Sequence, residues 1–333
     1  MELSTDWFYE RMGLIKEIVK EIEVEEVAIC LPLEFKTACF IYELSKYTNV
    51  LASKIDDFST KKQAVKWLEE KGIKIIPKRE ACKAEFFIDC AAVLSRISEK
   101  IGKKEVKSVE LTKTGENYLK NLKCKVKAIS IDSSEIKNFE SSHGTCFGLL
   151  EALLKLNIYL PGKNVKIVGF GKVGKGCAEL LRKIGCKVFV WDIDEKKKLE
   201  AKIMGFEVSN DPAEIVVLCT DKRISEKDVE LFDGCIVINL GAEIFEYSKE
   251  ILVDYGLVKK VKGEKTNYYV VSEGYAANLS IGNGTPIEIM DLTFSAAVLS
   301  LNCLKNFNFE GVIPLPKDVE ELLLKKFLYL FLK

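Results

Sequence analysis

The sequence predicts an α/β protein of two domains, one of them a Rossmann-type doubly wound parallel sheet. Three observations support this fold class. The chain has 333 residues, more than one small module needs. Apolar strand-like runs alternate with helical stretches, an order that favours parallel sheets covered by helices. One apolar run leads directly into a glycine-rich loop, which is typical of nucleotide-binding domains.

The first domain is predicted from its alternating segments. Strand-like runs occupy residues 27–31, 50–53, 73–76 and 86–89. Helical spacing occupies residues 35–47 and 61–71, and Gly72 is placed to end the second helix as its C-terminal cap. This order predicts a parallel sheet with helices on its faces.

The second domain has the clearer pattern. A compact strand is predicted at residues 164–168, followed by the glycine loop and a helix that stops at Gly185. Further strands are predicted at residues 187–191, 215–219 and 235–239. We therefore expect the doubly wound sheet here.

The glycine loop carries the strongest functional signal. Gly169 permits a tight turn, Gly171 lets the backbone approach a ligand, and Gly174 lets helix and strand pack closely. Asp192 lies 21 residues after Gly171, at the end of the next strand, where an acid accepts hydrogen bonds from ribose hydroxyls. This pattern predicts an adenosine-containing ligand and does not distinguish NAD from S-adenosylmethionine.

Further site residues are predicted from strand ends and loops. Thr220 and Asn239 follow strands of the second domain, where carboxyl ends of strands line the ligand crevice. Thr112 and Thr114 are predicted to bind substrate from the first domain. The candidate catalytic residues are Glu140, as a substrate contact, and His143, as a base; hinge packing or solvent exposure is the alternative for His143.

Composition excludes several classes of function. Lys+Arg and Asp+Glu tie at 50 each, so a nucleic-acid partner is not expected. No run of 18 apolar residues occurs and the start lacks signal-peptide features, so we expect a cytoplasmic protein. The 11 cysteines are scattered without a C-x-x-C, which favours reduced, buried thiols, and one histidine argues against a histidine metal site.

An ordered series of motifs resembles the S-adenosylhomocysteine hydrolase family over nearly the whole chain. The motifs occupy residues 57–60, 112–115, 169–178, 192–194, 204–208, 239–241, 273–279, 284–286 and 290–294. The resemblance implies a first domain at 1–142, a Rossmann domain at 143–275, and a segment at 276–333 that returns to the first domain. It also makes Asn278, within the 273–279 motif, a candidate substrate-binding residue.

This sequence differs from that family at the positions of the family's catalytic residues. The reaction that the resemblance implies is an NAD-dependent redox cycle with acid–base steps. Positions that hold histidines in the family hold Pro32, Ala242 and Thr285 here. Cys90 replaces one of two paired aspartates, and the family's Lys-x-x-x-Asp-Asn motif aligns with Ile136, Glu140 and Ser141, with Lys137 one position out of register. Because acid–base catalysis needs groups within hydrogen-bond reach, we expect no hydrolase activity.

A divergent branch of that superfamily, the pyridinol C-methyltransferases of iron–guanylylpyridinol (iron-hydrogenase) cofactor biosynthesis in methanogens, fits these departures. The resemblance implies S-adenosylmethionine as cofactor, S-adenosylhomocysteine as product and a small pyridinol as methyl acceptor. Methyl transfer to a ring carbon mainly needs the acceptor held in line with the sulfonium methyl.

Two alternatives stay open: an NAD-dependent oxidoreductase or hydrolase, and a non-catalytic sensor of S-adenosylhomocysteine or NAD. The amphipathic stretch at residues 319–328 is compatible with a subunit contact, and we expect a homodimer or higher homo-oligomer.

Overall fold

The computed structural model describes residues 3–331. Its strands are β1 (Glu26–Leu31), β2 (Asn49–Lys54), β3 (Phe86–Asp89), β4 (Glu105–Glu110), β5 (Lys125–Ser130), β6 (Asn164–Val168), β7 (Lys187–Trp191), β8 (Glu207–Val208), β9 (Ile215–Leu218), β10 (Ile236–Asn239), β11 (Ile251–Asp254), β12 (Val258–Lys262), β13 (Asn267–Val271) and β14 (Gly311–Pro314). Its α-helices are α1 (Thr5–Arg11), α2 (Leu14–Ile18), α3 (Phe35–Leu44), α4 (Lys62–Glu70), α5 (Lys78–Ala81), α6 (Val93–Lys100), α7 (Lys113–Leu119), α8 (Glu135–Phe139), α9 (Thr145–Lys155), α10 (Lys172–Ile184), α11 (Glu195–Ile203), α12 (Ala277–Ser280), α13 (Ile287–Asn306) and α14 (Lys317–Phe331).

The chain folds into two compact units, and both are α/β as predicted. Unit 1 comprises residues up to Glu140 together with those from Pro286 onward, and unit 2 runs from Ser141 to Thr285. The first crossing lies two residues before the predicted boundary and the second lies ten residues after it. The second differs because α12 packs against α9 and so stays in unit 2.

Unit 1 is built on a six-stranded sheet in the order β14-β5-β4-β3-β1-β2, in which every neighbouring pair is parallel. Strand β1 shows why both faces are covered. Val27 and Ile29 join one hydrophobic cluster, whereas Ala28 and Cys30 join another on the opposite face. Successive side chains of a strand point to opposite faces, so a strand that is apolar at every position needs helices on both sides.

The segment at residues 73–76 is not a strand, contrary to the prediction. The backbone N–H of Ile76 donates one hydrogen bond to Ala52 in β2. The next residue is Pro77, which has no N–H to continue a ladder. Gly72, in contrast, ends the preceding helix as predicted, with φ of +83°.

Helix α13 is the one described segment that is long and apolar enough to cross a membrane by length and composition. Most of its residues are nevertheless buried inside unit 1, including Leu292, Phe294 and Val298. The apolar surface of α13 is thus used to build the core of that unit.

Unit 2 contains the predicted Rossmann sheet, in the order β11-β12-β13-β10-β9-β6-β7-β8. From β13 to β8 the neighbouring pairs are parallel, and they follow the doubly wound order of dinucleotide-binding folds. Strands β11, β12 and β13 form an antiparallel extension at one edge. The strand order reverses between β6 and β9, which is where ligands bind in such sheets.

Candidate functional site

The glycine loop between β6 and α10 has the geometry that a nucleotide needs. Gly169 has φ of +94°, and a Cβ there would lie 2.6 Å from the carbonyl oxygen of Cys219. A Cβ on Gly174 would lie 1.9 Å from the Gly169 carbonyl oxygen, so only glycine allows this packing of helix on strand. Gly171, in contrast, has no atom within 4 Å of the corresponding position. The loop is therefore tightly packed at Gly169 and Gly174 and open at Gly171, the residue that a ligand would approach.

Asp192 lies at the carboxyl end of β7 and is bonded to this loop. Its Oδ2 accepts a hydrogen bond of 2.7 Å from the backbone N–H of Phe170, and its Oδ1 accepts one of 2.9 Å from that of Asp194. Each carboxylate oxygen can accept more than one hydrogen bond, so both oxygens keep capacity for ribose hydroxyls.

Thr220 and Asn239, the two residues predicted at strand ends, lie at the same carboxyl edge of the sheet. The Cγ2 of Thr220 would lie 2.9 Å from a Cβ on Gly169, so its methyl group packs on the loop, while its hydroxyl donates to the carbonyl of Lys222. The amide of Asn239 is engaged with backbone. It donates to the carbonyls of Glu243 and Gly274 at 2.8 Å each.

The Oδ1 of Asn239 also accepts from the N–H of Gly241 at 2.9 Å, and the side chain is 4% exposed. The structure thus gives Asn239 a loop-fixing role, and contact with a ligand stays a prediction.

Asn278, in α12, carries an unpaired buried oxygen. The side chain is 7% exposed, and its Oδ1 has no hydrogen-bond partner among the described residues. A buried amide oxygen without a donor costs free energy unless a ligand or water supplies one. Gly148 makes room for this side chain, because a Cβ there would lie 2.9 Å from the Cβ of Asn278. The oxygen is therefore suited to accept a hydrogen bond from a ligand N–H or O–H.

In unit 1, Glu140 belongs to a buried ion pair. Its Oε1 pairs with the ammonium of Lys137, and its Oε2 accepts a hydrogen bond of 2.9 Å from the hydroxyl of Thr293 in α13. The side chains of Lys137 and Glu140 are only 11% and 12% exposed. Burial acts to lower the pKa of Lys137, but the adjacent Glu140 carboxylate raises it above its usual range. Lys137 thus stays protonated.

Glu110, at the carboxyl end of β4, organises the backbone next to Cys90. Its carboxylate accepts hydrogen bonds from the N–H groups of Ala91 and Ala92 at 3.1 and 2.9 Å. Both alanines have positive φ, 54° and 51°, a strained conformation for a residue with a side chain. The hydroxyl of Thr112 donates to Glu110 and accepts from Gly115, so this predicted substrate contact caps α7. Thr114 is buried beside it.

Asp89 is paired with Glu110 across β3 and β4, and both acids are fully buried. Asp89 accepts hydrogen bonds from the N–H groups of Leu94 and Ser95 at the start of α6. Burial raises the pKa of Glu110 to about 8 and that of Asp89 to about 6, and the two acids repel each other. Burial also raises the pKa of the Cys90 thiol well above its usual range, so Cys90 is a neutral thiol.

His143 is exposed in a π-helical turn, Glu140–Gly144, that precedes α9. Such turns recur at functional sites. The predicted catalytic pair is divided between the units, because Glu140 ends unit 1 and His143 belongs to unit 2. The base role of His143 stays a prediction. Among residues 3–331 no cluster of His, Cys, Asp or Glu is arranged to hold a metal ion.

Three residues of these clusters were not among the sequence-predicted site residues: Lys137, Glu110 and Thr293. Lys137 had one available signal, its position three residues before Glu140, because residues at that spacing share a helix face. Glu110 is bonded to the nearby Thr112 as well as to the more distant Ala91 and Ala92. Thr293 lies within the motif at residues 290–294, but its partner Glu140 is 153 residues away.

Comparison with known proteins matches residues 146–284 to the NAD-binding domain of S-adenosyl-L-homocysteine hydrolase. The chain is 28% identical to an S-inosyl-L-homocysteine hydrolase of Methanopyrus kandleri, covering 95% of this chain and 87% of that protein. It is 27% identical to an adenosylhomocysteinase of Thermotoga maritima, covering 96% and 92%. The crystal structure of dipicolinate synthase A chain from Bacillus subtilis aligns with 12% identity and a TM-score of 0.41, covering 85% of this chain and 99% of that one.

Proposed function

We propose that this chain, a member of the S-adenosylhomocysteine hydrolase-like superfamily, binds an adenosine-containing cofactor at the glycine loop of unit 2, and that this cofactor is NAD. The match to an NAD-binding domain covers residues 146–284, which include the loop and Asp192. The observation that carries the proposal is the Asp192 carboxylate, bonded to the loop while both its oxygens keep capacity for a ribose.

The residues present fit NAD. Asp192 would accept hydrogen bonds from the adenosine ribose, and its charge disfavours a 2′-phosphate, as in NADP. The open backbone at Gly171 and the start of the 13-residue helix α10 would take the pyrophosphate. Asn278 Oδ1 would accept from an N–H of the ligand, such as a carboxamide group. Bound NAD supplies a hydride acceptor.

The substrate proposed is a thioether of homocysteine with a nucleoside, the class named for the two relatives. Lys137 and Glu140 would provide the polar groups of unit 1. The protonated Lys137 would stabilise negative charge on a substrate oxygen, while Glu140, which accepts a hydrogen bond from Thr293, holds the ammonium in place. Glu140 stands where the resembling family has the aspartate, and Lys137 lies one position from the place of the lysine.

A second candidate reaction is methyl transfer from S-adenosylmethionine to a ring carbon of a pyridinol. One observation favours it. Pro32, Ala242 and Thr285 stand where the resembling family has histidines, and none of them titrates near neutral pH. Cys90 is a neutral thiol where that family has a carboxylate. Methyl transfer tolerates such a site, because positioning of donor and acceptor supplies most of the catalysis.

Both candidates are tested on the purified protein. Nucleotide released by denaturation is identified by mass spectrometry, and thiol release is followed with S-adenosylhomocysteine and S-inosylhomocysteine. Bound NAD with thiol release supports the first candidate, and Lys137→Met should then lower turnover whereas Lys66→Met, at an exposed lysine, should not. Methylation of a pyridinol without bound NAD supports the second. Ligand binding without turnover of any of these compounds would contradict both candidate reactions and would favour a non-catalytic sensor.

A further inference from the structure

Glu151 attaches helix α9 to the loop that follows α12. Its Oε2 accepts a hydrogen bond of 2.6 Å from the backbone N–H of Asn283, and its Oε1 accepts one of 2.6 Å from the side-chain amide of the same residue. Lys155, one turn further along α9, pairs with Oε1 at 2.9 Å and donates to the carbonyl of Ile281 at 3.0 Å. One face of α9 therefore holds this loop at two points, Ile281 and Asn283.

The same loop folds back onto Asn278. The N–H of Gly284 donates a hydrogen bond of 2.8 Å to the backbone carbonyl of Asn278. A Cβ on Gly282 would lie 2.6 Å from that carbonyl oxygen. A Cβ on Gly148, in α9, would lie 2.9 Å from the Cβ of Asn278 and 2.9 Å from the carbonyl oxygen of Gly284. Because these contacts leave no free space, a shift of the loop relative to α9 displaces Asn278 as well.

Helix α12 is too short to fix Asn278 by itself. It has four residues, and no side chain caps its N-terminus. Isolated helices shorter than about 12 residues are marginal in water, so the orientation of α12 depends on the contacts of its surroundings. Those contacts include the packing of α12 on α9 and the loop that Glu151 holds.

We propose that Glu151 is a positioning residue for ligand binding, which fixes the loop after α12 so that Oδ1 of Asn278 faces the ligand. The inference rests on the proposed function, in which this buried oxygen accepts a hydrogen bond from the cofactor. Glu151 acts through Asn283 and the loop, and Asn278 makes the contact.

The two bonds to Asn283 require two acceptor oxygens on one side chain. Glu151→Gln keeps the size of the side chain but replaces one acceptor with an NH2 group, which cannot accept from the donors of Asn283. Asn283→Asp places two carboxylates against each other. In the double variant Glu151→Gln/Asn283→Asp, the new amide can donate to the new carboxylate while its oxygen accepts the backbone N–H. The pair is then complementary again.

The test measures the Kd for NAD and for S-adenosylmethionine by calorimetric titration of the purified full chain. We expect Glu151→Gln to raise the Kd of the ligand that binds about fivefold or more, and the double variant to return it to within about twofold of wild type. A Kd in the double variant as high as that of Glu151→Gln overturns the route through Asn283.

Glu214 provides a matched control in the same unit. Its carboxylate also accepts from a backbone N–H, that of Asn164 at 3.0 Å, and also pairs with a lysine, Lys163 at 2.5 Å. The exposed fractions are similar, 38% for Glu214 and 32% for Glu151. Asn164 begins β6, so this site lies at the amino edge of the sheet, away from the glycine loop. We expect Glu214→Gln to change the Kd by less than about twofold.

A double-mutant cycle separates positioning from a general effect on structure. If Glu151 acts through Asn278, adding Glu151→Gln to Asn278→Ala should raise the Kd by less than about twofold further. An equal additional loss of affinity in that background, or an unchanged Kd in the single variant Glu151→Gln, overturns the inference.

Hydrogen exchange distinguishes failure of this inference from failure of the proposed function. The amides of residues 281–284 should exchange faster in Glu151→Gln than in wild type or Glu214→Gln, because the loop opens more often. If neither ligand binds wild type, the proposed function fails, while faster exchange still upholds the attachment of the loop by Glu151. Unchanged exchange overturns that attachment whether or not a ligand binds.

Discussion

The backbone N–H of Phe170 donates a hydrogen bond of 2.7 Å to Oδ2 of Asp192, which ties the glycine loop to the end of the neighbouring strand. The acid predicted to bind ribose therefore also orders the loop that is predicted to bind phosphate. We therefore expect ligand binding and loop geometry to be coupled at this one carboxylate.

Substitution of Asp192 should separate ligand binding from folding. Asp192→Ala removes the acceptor for Phe170 and for the ribose hydroxyls. Hydrogen bonds to a charged group contribute about 1.5–3 kcal/mol, so we expect the Kd for the bound nucleotide to rise about 10- to 100-fold. Isothermal titration calorimetry measures this change. Asp194→Ala, which removes only the N-terminal cap of α11, is the control, and an equal loss of affinity there would argue against the assignment.

Asn239 and Asn278, the two asparagines among the predicted site residues, should respond in opposite ways. Asn239→Ala removes four hydrogen bonds to backbone and should lower the free energy of unfolding by about 2–4 kcal/mol. Asn278→Ala removes an oxygen without a partner, so stability should change by less than about 1 kcal/mol while ligand affinity falls. Urea denaturation and titration of the same samples measure both quantities. Unchanged affinity in Asn278→Ala would show that its oxygen does not face the ligand.

Breaking the Lys137–Glu140 pair should cost much more than breaking a surface pair. Lys137→Met leaves the Glu140 carboxylate buried and uncompensated, and such losses are about 3 kcal/mol or more. Lys66→Met breaks a pair whose side chains are 78% and 60% exposed, and should cost less than about 0.5 kcal/mol. The comparison uses urea denaturation at neutral pH. Equal costs for the two variants would mean that water reaches Lys137 and Glu140 freely.

Stability should fall as pH rises from about 5 to 8. Burial raises the pKa of Asp291 to about 7, despite hydrogen bonds from the N–H groups of Leu14 and Ile15. The pKa values of Glu110 and Asp89 are also raised by burial. The folded state therefore binds more protons than the unfolded state in this range, and each group contributes a slope of up to about 1.4 kcal/mol per pH unit.

Burial acts to raise the pKa of Glu116, but hydrogen bonds from Lys120 and Lys113 together outweigh burial and lower that pKa to about 2, so Glu116 works in the other direction. It adds stability only as pH rises to about 4.5, so it does not offset the decline above pH 5. Urea denaturation at several pH values gives the slope, and Asp291→Asn should make it shallower. A slope of zero in wild type would contradict these pKa directions.

The Rossmann unit was predictable because its signals are local. The loop from Gly169 to Gly174 directly follows strand β6, and one helix and one strand, α10 and β7, lead from it to Asp192. Apolar runs predicted β7, β9 and β10, whereas β8, β11, β12 and β13 were not predicted. Residues 73–76 misled the prediction because an apolar run also suits a chain segment that packs beside an edge strand without pairing.

The polar clusters of unit 1 were less accessible to sequence reasoning. The lysine and aspartate of the family's motif are four residues apart, whereas Lys137 and Glu140 are three apart, so Lys137 is out of register with that motif. Side chains three residues apart nevertheless also meet on one face of a helix. The third partner, Thr293, lies more than 150 residues away in α13. The raised pKa values of Asp89 and Glu110 depend on complete burial, which no short pattern specifies.

The most direct test of the account is calorimetric titration of dialysed wild-type protein and Asp192→Ala with NAD and S-adenosylmethionine. The account predicts that wild type binds an adenosine-containing ligand, NAD in the first instance, and that Asp192→Ala loses at least about 10-fold in affinity. Selective binding of S-adenosylmethionine would support the predicted binding site but would favour methyl transfer as the reaction. Equal binding by both proteins, or binding of neither ligand, would contradict the central claim.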